Sequence, residues 1–178
     1  RYNFFLINYL LFKDEVEDAK KIINNSRKKY HSNLLIKETE FFLLNDENEK
    51  IKSFFNCKNE KDSLAEFFYI IANLYSSEKD YKLSNFYLKI SLFLNNKFLP
   101  NKALLAENYF YQEKNELSKD IHLSLKSIGS IYSWYASKNI ATILLYDKGK
   151  EYSIKSLEKE FNLLSNPNFK HHYELANF

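Results

Sequence analysis

The chain predicts an all-α fold in which antiparallel helix pairs stack one after another. Three observations carry that reading. Apolar residues recur at helical spacing along almost the whole length, as in Phe68, Ile71, Ala72 and Tyr75 at i, i+3, i+4 and i+7. Short polar clusters separate the helix-sized stretches, and connections that brief force neighbouring helices to run antiparallel. Equivalent second-helix positions (Ala19, Ile51, Ser84, Asp120, Ser153) lie 32, 33, 36 and 33 residues apart, and a near-constant period of this size marks a helical repeat. The strict alternation of a strand is scarce.

Composition narrows the class further. The 178 residues and 21.4 kDa hold one domain or one run of repeats. Two glycines exclude phosphate loops, glycine-rich dinucleotide turns and tight type I′ hairpins. One cysteine excludes a disulfide framework or a Cys-rich zinc site. A net charge of +3 gives no footprint for nucleic acid or an anionic membrane. The longest strongly apolar run, Phe4 to Phe12, is far shorter than the ~20 residues of a membrane span. The chain opens with Arg1 rather than Met and stops at Phe178 inside a helix-like pattern, so it reads as a piece of a longer repeat protein. The Lys-, Asn- and Ile-rich composition reads as the bias of an AT-rich genome.

Taken in order, the first helix, Tyr2 to Phe12, is apolar on almost every side. Its Leu6 and Leu10 pair with Ala19, Ile23 and Ser26 across a break at Lys13-Asp14. Residues 33 to 58 keep the spacing through Phe41, Phe42, Ile51 and Phe55 but lack small residues, with a break at Asn45 to Asn48. Residues 65 to 98 form the clearest pair, broken at Ser77 to Asp80 and closed at Asn95-Asn96. Next come Leu105, Ala106 and Tyr109, then Asp120 and Ser127, across a turn (Glu113 to Asn115) that reads as two residues longer. Ile140, Ala141 and Leu144 follow, answered by Ser153, Ile154 and Leu157 beyond Asp147 to Gly149. After Asn166-Pro167-Asn168, Leu175 and Ala176 start another first helix. Asn and Asp replace Gly at these breaks because they tolerate the left-handed conformation and cap helices. About eleven helices of roughly 10 to 17 residues result, in approximate repeats 1–31, 32–60, 61–98, 99–131 and 132–166, with 168–178 beginning another.

Phe68, Ile71, Ala72, Tyr75, Ser84, Leu88 and Ser91 occupy, in order, the places of the tetratricopeptide pattern, with Asn96 where its final Pro would stand. With partial copies on both sides, nearly the whole chain resembles a tetratricopeptide-repeat protein of bacterial type; Sel1-like repeats, richer in Gly and Ala, fit second. The resemblance implies a right-handed α-solenoid. In it Ala72, Ala106, Ala141 and Ala176 let each first helix meet its second, while Phe68, Tyr75 and Tyr109 fill holes between repeats. Each repeat then buries its apolar face only against neighbours. The resemblance also implies a concave groove lined by Glu66, Tyr69 and Asn73, by Ala103, Glu107 and Phe110, and by Tyr135, Lys138 and Thr142. Such a groove holds an extended peptide: Asn bonds its backbone and aromatics cover its side chains. The Lys-and-Asn clamp for chaperone tails is broken, because Phe4 and Tyr69 stand where Lys is needed beside Asn8 and Asn73.

No motif points to catalysis, a metal or a cofactor. His171 and His172 diverge by about 100° on a helix; His171 shares a face with Glu174, but two ligands make no metal site. His122, between Ile121 and Leu123, reads as a helix-surface histidine. Cys57 beside Lys58 has the setting for a lowered thiol pKa, yet a lone thiol near a helix end is usually inert. Lys20, Lys21, Arg27, Lys28 and Lys29, offset by Glu15, Glu17 and Asp18, read as a solvated face rather than a nucleic-acid contact. The expected function is therefore a non-catalytic scaffold for a protein or peptide partner, in a bacterial cytoplasm or periplasm. The alternatives are a structural spacer packed on the rest of its own chain, or an accessory domain of an enzyme.

Overall fold

The structure, a computed structural model, describes residues 1–29, 33–128, 130–164 and 166–178. Among these residues the chain forms eleven α-helices and no strand. They are α1 (Tyr2–Phe12), α2 (Val16–Lys29), α3 (Leu34–Leu44), α4 (Asn48–Phe54), α5 (Glu60–Ser77), α6 (Tyr81–Leu94), α7 (Leu99–Tyr111), α8 (Asn115–Lys126), α9 (Ser130–Lys148), α10 (Lys150–Asn162) and α11 (Phe169–Ala176). Breaks fall at the expected polar clusters, although α4 and α11 are shorter and α5 and α9 are longer than expected. The expected boundary between the first two repeats, 31/32, lies outside the described residues.

One left-handed residue reverses the chain inside each of the first five pairs: Asp14, Asp46, Lys79, Glu113 and Gly149, with φ of 59°, 55°, 64°, 60° and 85°. In the first four the next amide reaches back to the fifth carbonyl before it: Glu15 to Leu10, Glu47 to Phe42, Asp80 to Tyr75 and Lys114 to Tyr109, at 2.8–2.9 Å. The left-handed residue itself donates to the third carbonyl before it, which completes the Schellman pattern and satisfies carbonyls that the helix end leaves open. Asp14 and Asp46 match the expectation for short polar side chains. Lys79 and Glu113 carry the same strain without that help.

Because the turns are identical, the α7–α8 connection is not longer, and the expected role of Asp120 is corrected. Asp120 is exposed, while Ser118 is buried. The Ser118 hydroxyl donates to the Ala106 carbonyl at 2.8 Å, as Ser84 does to Ala72 at 2.8 Å and Ser153 does to Ala141. Each pair is twelve residues apart. With Ser118 in place, the second-helix positions step by 32, 33, 34 and 35 residues. Ala72, Ala106 and Ala141 are wholly buried, which lets the two backbones come close enough for a hydroxyl to bridge them. Twelve residues before Ala19 stands Ile7, buried, whereas Leu6 is exposed; the first helix therefore faces inward one residue later than expected. Ala176 is exposed, and α11 packs instead through Leu175 against the cluster of Trp134, Ala141 and Leu157.

Two further expectations change. Phe68 and Tyr75 both stack on Tyr87, with centroids 6.2 and 5.6 Å away, so they close their own α5–α6 pair rather than the gap between repeats. Tyr109 does bridge repeats, packing with Ala72 and Leu88. Neighbouring helices pack in sequence order, but α3 also seats against α9. There the Ile131 amide donates to Glu38 Oε2 at 3.2 Å, and Leu34 joins the cluster of Leu99, Leu125 and Tyr132. Phe98 at the head of α7 packs against Phe4, Phe5 and Phe55. Burial is thus not confined to neighbours, because α1 and α3 carry apolar side chains on more faces than one partner can cover.

Ala72→Leu overpacks the α5–α6 crossing and lowers unfolding free energy by about 1–3 kcal/mol, measured by urea unfolding. Lys79→Gly relieves the left-handed strain and raises the thermal midpoint, a net gain of up to ~1 kcal/mol after the entropy that glycine loses on folding.

Candidate functional site

The residues expected to line a groove stand on α5, α7 and α9, and the structure sorts them into adjoining cavities. Tyr69, Asn73, Ala103, Glu107 and Tyr135 share one cavity of about 300 Å³. Glu107 also lines a smaller one, of about 120 Å³, together with Phe110 and Thr142. Lys138 lines a third, of about 370 Å³, which Tyr135 shares. Glu66 pairs with Arg1 instead. Glu107 lines two of these cavities and Tyr135 lines two, and the two side chains join across from α7 to α9. The Tyr135 hydroxyl donates to Glu107 Oε1 at 2.5 Å. Burial, then that carboxylate, raises the phenol's pKa well above the usual range, so it stays a donor.

The sequence did not point to what occupies part of this face. The Arg1 guanidinium lies 4.1 Å from the Tyr69 ring centroid, a cation–π contact, while its other contact is Glu66. Burial raises the Glu66 pKa against the pull of Arg1. Asn73 is exposed. Asn8, which matches the clamp position by sequence, is wholly buried and donates to the Ile51 carbonyl at 3.2 Å, so it faces the α4 side of its own hairpin block. Phe110 packs on Tyr146 at 5.9 Å, and the Thr142 hydroxyl is turned to the Lys138 carbonyl.

Three single-residue expectations need correction or completion. His122 is buried, not on the surface. The inward stripe of α8 is Ser118, His122 and Leu125, at i, i+4 and i+7; that spacing was present in the sequence, masked by apolar Ile121 and Leu123. Its ring meets Tyr135 edge-on at 5.7 Å, its Nδ1 has no partner among the described residues, and burial lowers its pKa to about 4. The Cys57 thiol pKa is raised by burial rather than lowered by Lys58. His171 serves as a cap: Asn168 N donates to its Nδ1 at 3.1 Å while its own amide donates to Asn168 Oδ1 at 3.2 Å. Its ring, like that of His172, packs on an aromatic neighbour, Trp134 and Phe161 respectively.

Glu38 enters the start of α9 from α3. It is wholly buried, one oxygen accepting the Ile131 amide and the other without a partner among the described residues. Burial pushes its pKa up to about 7 against the amides of Ile131 and Tyr132. Folded, the carboxyl holds its proton more tightly than unfolded. Its stabilising contribution is full below about pH 4.5 and lost as the pH rises through 7. His122 acts oppositely: its contribution is present above about pH 6.5 and lost as the pH falls towards 4. Among the described residues, no three His, Cys, Asp or Glu side chains surround a point where a metal would sit, and no helix is long and apolar enough to cross a membrane.

Glu38→Gln keeps the acceptor for Ile131 and removes the titration. Relative to the wild type its stability rises between pH 5 and pH 8, by up to about 3 kcal/mol from the size of the shift, read as the difference in urea midpoints at the two pH values. No family model, curated protein or solved structure matches the chain.

Proposed function

We propose that this chain is a tetratricopeptide-type repeat array, a right-handed α-solenoid, acting as a non-catalytic scaffold that holds an extended segment of another protein on its inner face. One observation carries the reading: Tyr69, Asn73, Ala103, Glu107 and Tyr135, from three successive first helices, line a single cavity. Its chemistry suits a peptide. The exposed Asn73 amide offers a donor and an acceptor to a peptide backbone, Tyr69 and Tyr135 give flat apolar cover, and the small Ala103 leaves room between them.

A second reading has its own support. Arg1 sits on Tyr69 and Glu66, and α3 seats on α9, so part of this face already receives segments of the same chain. That arrangement suits a structural or accessory unit packed on its own neighbours.

Changing Tyr69, Asn73 and Glu107 together to Ala separates the two. On the first reading a partner captured by the intact protein is lost while far-ultraviolet circular dichroism stays unchanged; undiminished capture excludes the inner face as its site.

A further inference from the structure

The cavity between α3, α9 and α11, about 370 Å³, is set apart by charge. Arg27, Lys37, Lys138 and Lys170 line it against Glu40 and Glu174. Arg27 and Glu40 pair at 3.0 Å and cancel. What remains is three ammonium groups around one carboxylate. Lys138 reaches Glu174 at 2.8 Å and Lys170 reaches it at 3.6 Å, while the indole of Trp134 donates to its other oxygen at 2.7 Å. Lys37 faces Lys170, with Lys138 beyond. An excess of two positive charges is thus gathered in one cleft of a chain whose formal net charge is +3.

Such a gathering is unfavourable without a counter-charge, because like charges in a partly desolvated cleft repel more strongly than in water. Lys37 registers it: its pKa is lowered first by burial, then by Lys170 and Lys138, with only Glu174 opposing. The Glu174 carboxylate is already shared. Burial would raise its pKa, and the hydrogen bonds from Lys138 and Trp134 overcome this and hold it below the usual range. The other wall is apolar, formed by Phe41, Ile131 and Trp134. A free inorganic anion would satisfy the lysines and leave that wall wet.

We propose that this cavity binds an acidic peptide segment, a carboxylate lying among Lys37, Lys138 and Lys170 and an adjacent apolar side chain lying on Phe41 and Trp134. The site adjoins the cavity of Tyr69 and Asn73, sharing Tyr135 with it but neither of those two residues, and it deepens the scaffold reading by giving the partner's chemistry: acidic residues next to an aromatic or aliphatic one.

Trp134 is the sole tryptophan and reports directly. The intact chain is titrated at low salt with the peptide acetyl-Asp-Glu-Phe-Asp-amide and with its Asn/Gln counterpart, following tryptophan emission. The acidic peptide produces a saturable change, weakened at least tenfold in a Lys37→Met, Lys170→Met variant and by raising the salt. The neutral peptide produces none. In the wild type, peptide saturation also raises the Lys37 pKa followed by carbon-13 NMR at Cε, a readout independent of whether the variant folds. An equal response to the neutral peptide, undiminished binding in the double variant, no movement of Lys37, or inorganic phosphate matching the peptide's affinity each overturns the proposal. A Tyr69→Ala, Asn73→Ala variant, which leaves Tyr135 and its partner Glu107 in place, binds this peptide as the wild type does, so failure here and failure of the inner-face reading are told apart.

Discussion

The whole architecture rests on one close approach, repeated. A first helix must come near enough to its second for a serine hydroxyl to reach the carbonyl of an alanine twelve residues earlier, and this happens at Ala72–Ser84, Ala106–Ser118 and Ala141–Ser153. Larger side chains at these points would push the backbones apart, and hydroxyls left without a partner there would cost about 1–3 kcal/mol each. The contact then extends to the next repeat. Asn108 of α7 donates to Ser84 at 2.7 Å and to Asn85 at 2.9 Å, and accepts from Ser76 at 2.7 Å. Asn101 donates likewise to Ser91, whose hydroxyl is already given to the Ala65 carbonyl. Buried polar groups here fix the order in which pairs dock, because each hydrogen bond forms in only one register.

Against this regular frame the N-terminal block behaves differently. Its first two pairs replace the Ala–Ser contact by Ile7 with Ala19 and Thr39 with Ile51, all buried, and its surplus apolar surface goes to α7 and α9. The aromatic group Phe4, Phe5, Phe55 and Phe98 and the carboxylate of Glu38 are the two ends of that attachment, one apolar and one polar. Arg1, just before α1, reaches Tyr69, and Lys37 and Lys138 face the same cleft because α3 seats on α9.

Much of this was legible in the sequence, for a physical reason. Helix breaks announce themselves locally, through Asp14, Asp46 and the clusters around Lys79 and Glu113, and small residues at a fixed period announce the crossings. Asp120 falls outside the buried stripe because the turn before it is no longer than the others; counting twelve from Ala106 gives Ser118. The burial of His122 is legible by the same count, since Ser118, His122 and Leu125 share one face. What a local pattern does not carry is the meeting of Glu38 with Ile131, 93 residues apart, or of Arg1 with Glu66. Those contacts depend on how several crossings add up in space. The meeting of the cavity lysines was invisible for the same reason: Lys138 was legible as a lining residue, but Lys37, Lys138 and Lys170 belong to three helices with no common spacing.

The docking of α3 on α9 has a consequence for how the molecule comes apart. A chain of hairpins touching only its neighbours can peel from either end, one hairpin at a time. The α3–α9 contact ties the second hairpin to the fifth across the helices between them. Freeing the start of α9 then means releasing α3 as well, so the middle of the protein opens in a single cooperative step, and assembly must first meet the entropy of bringing distant segments together.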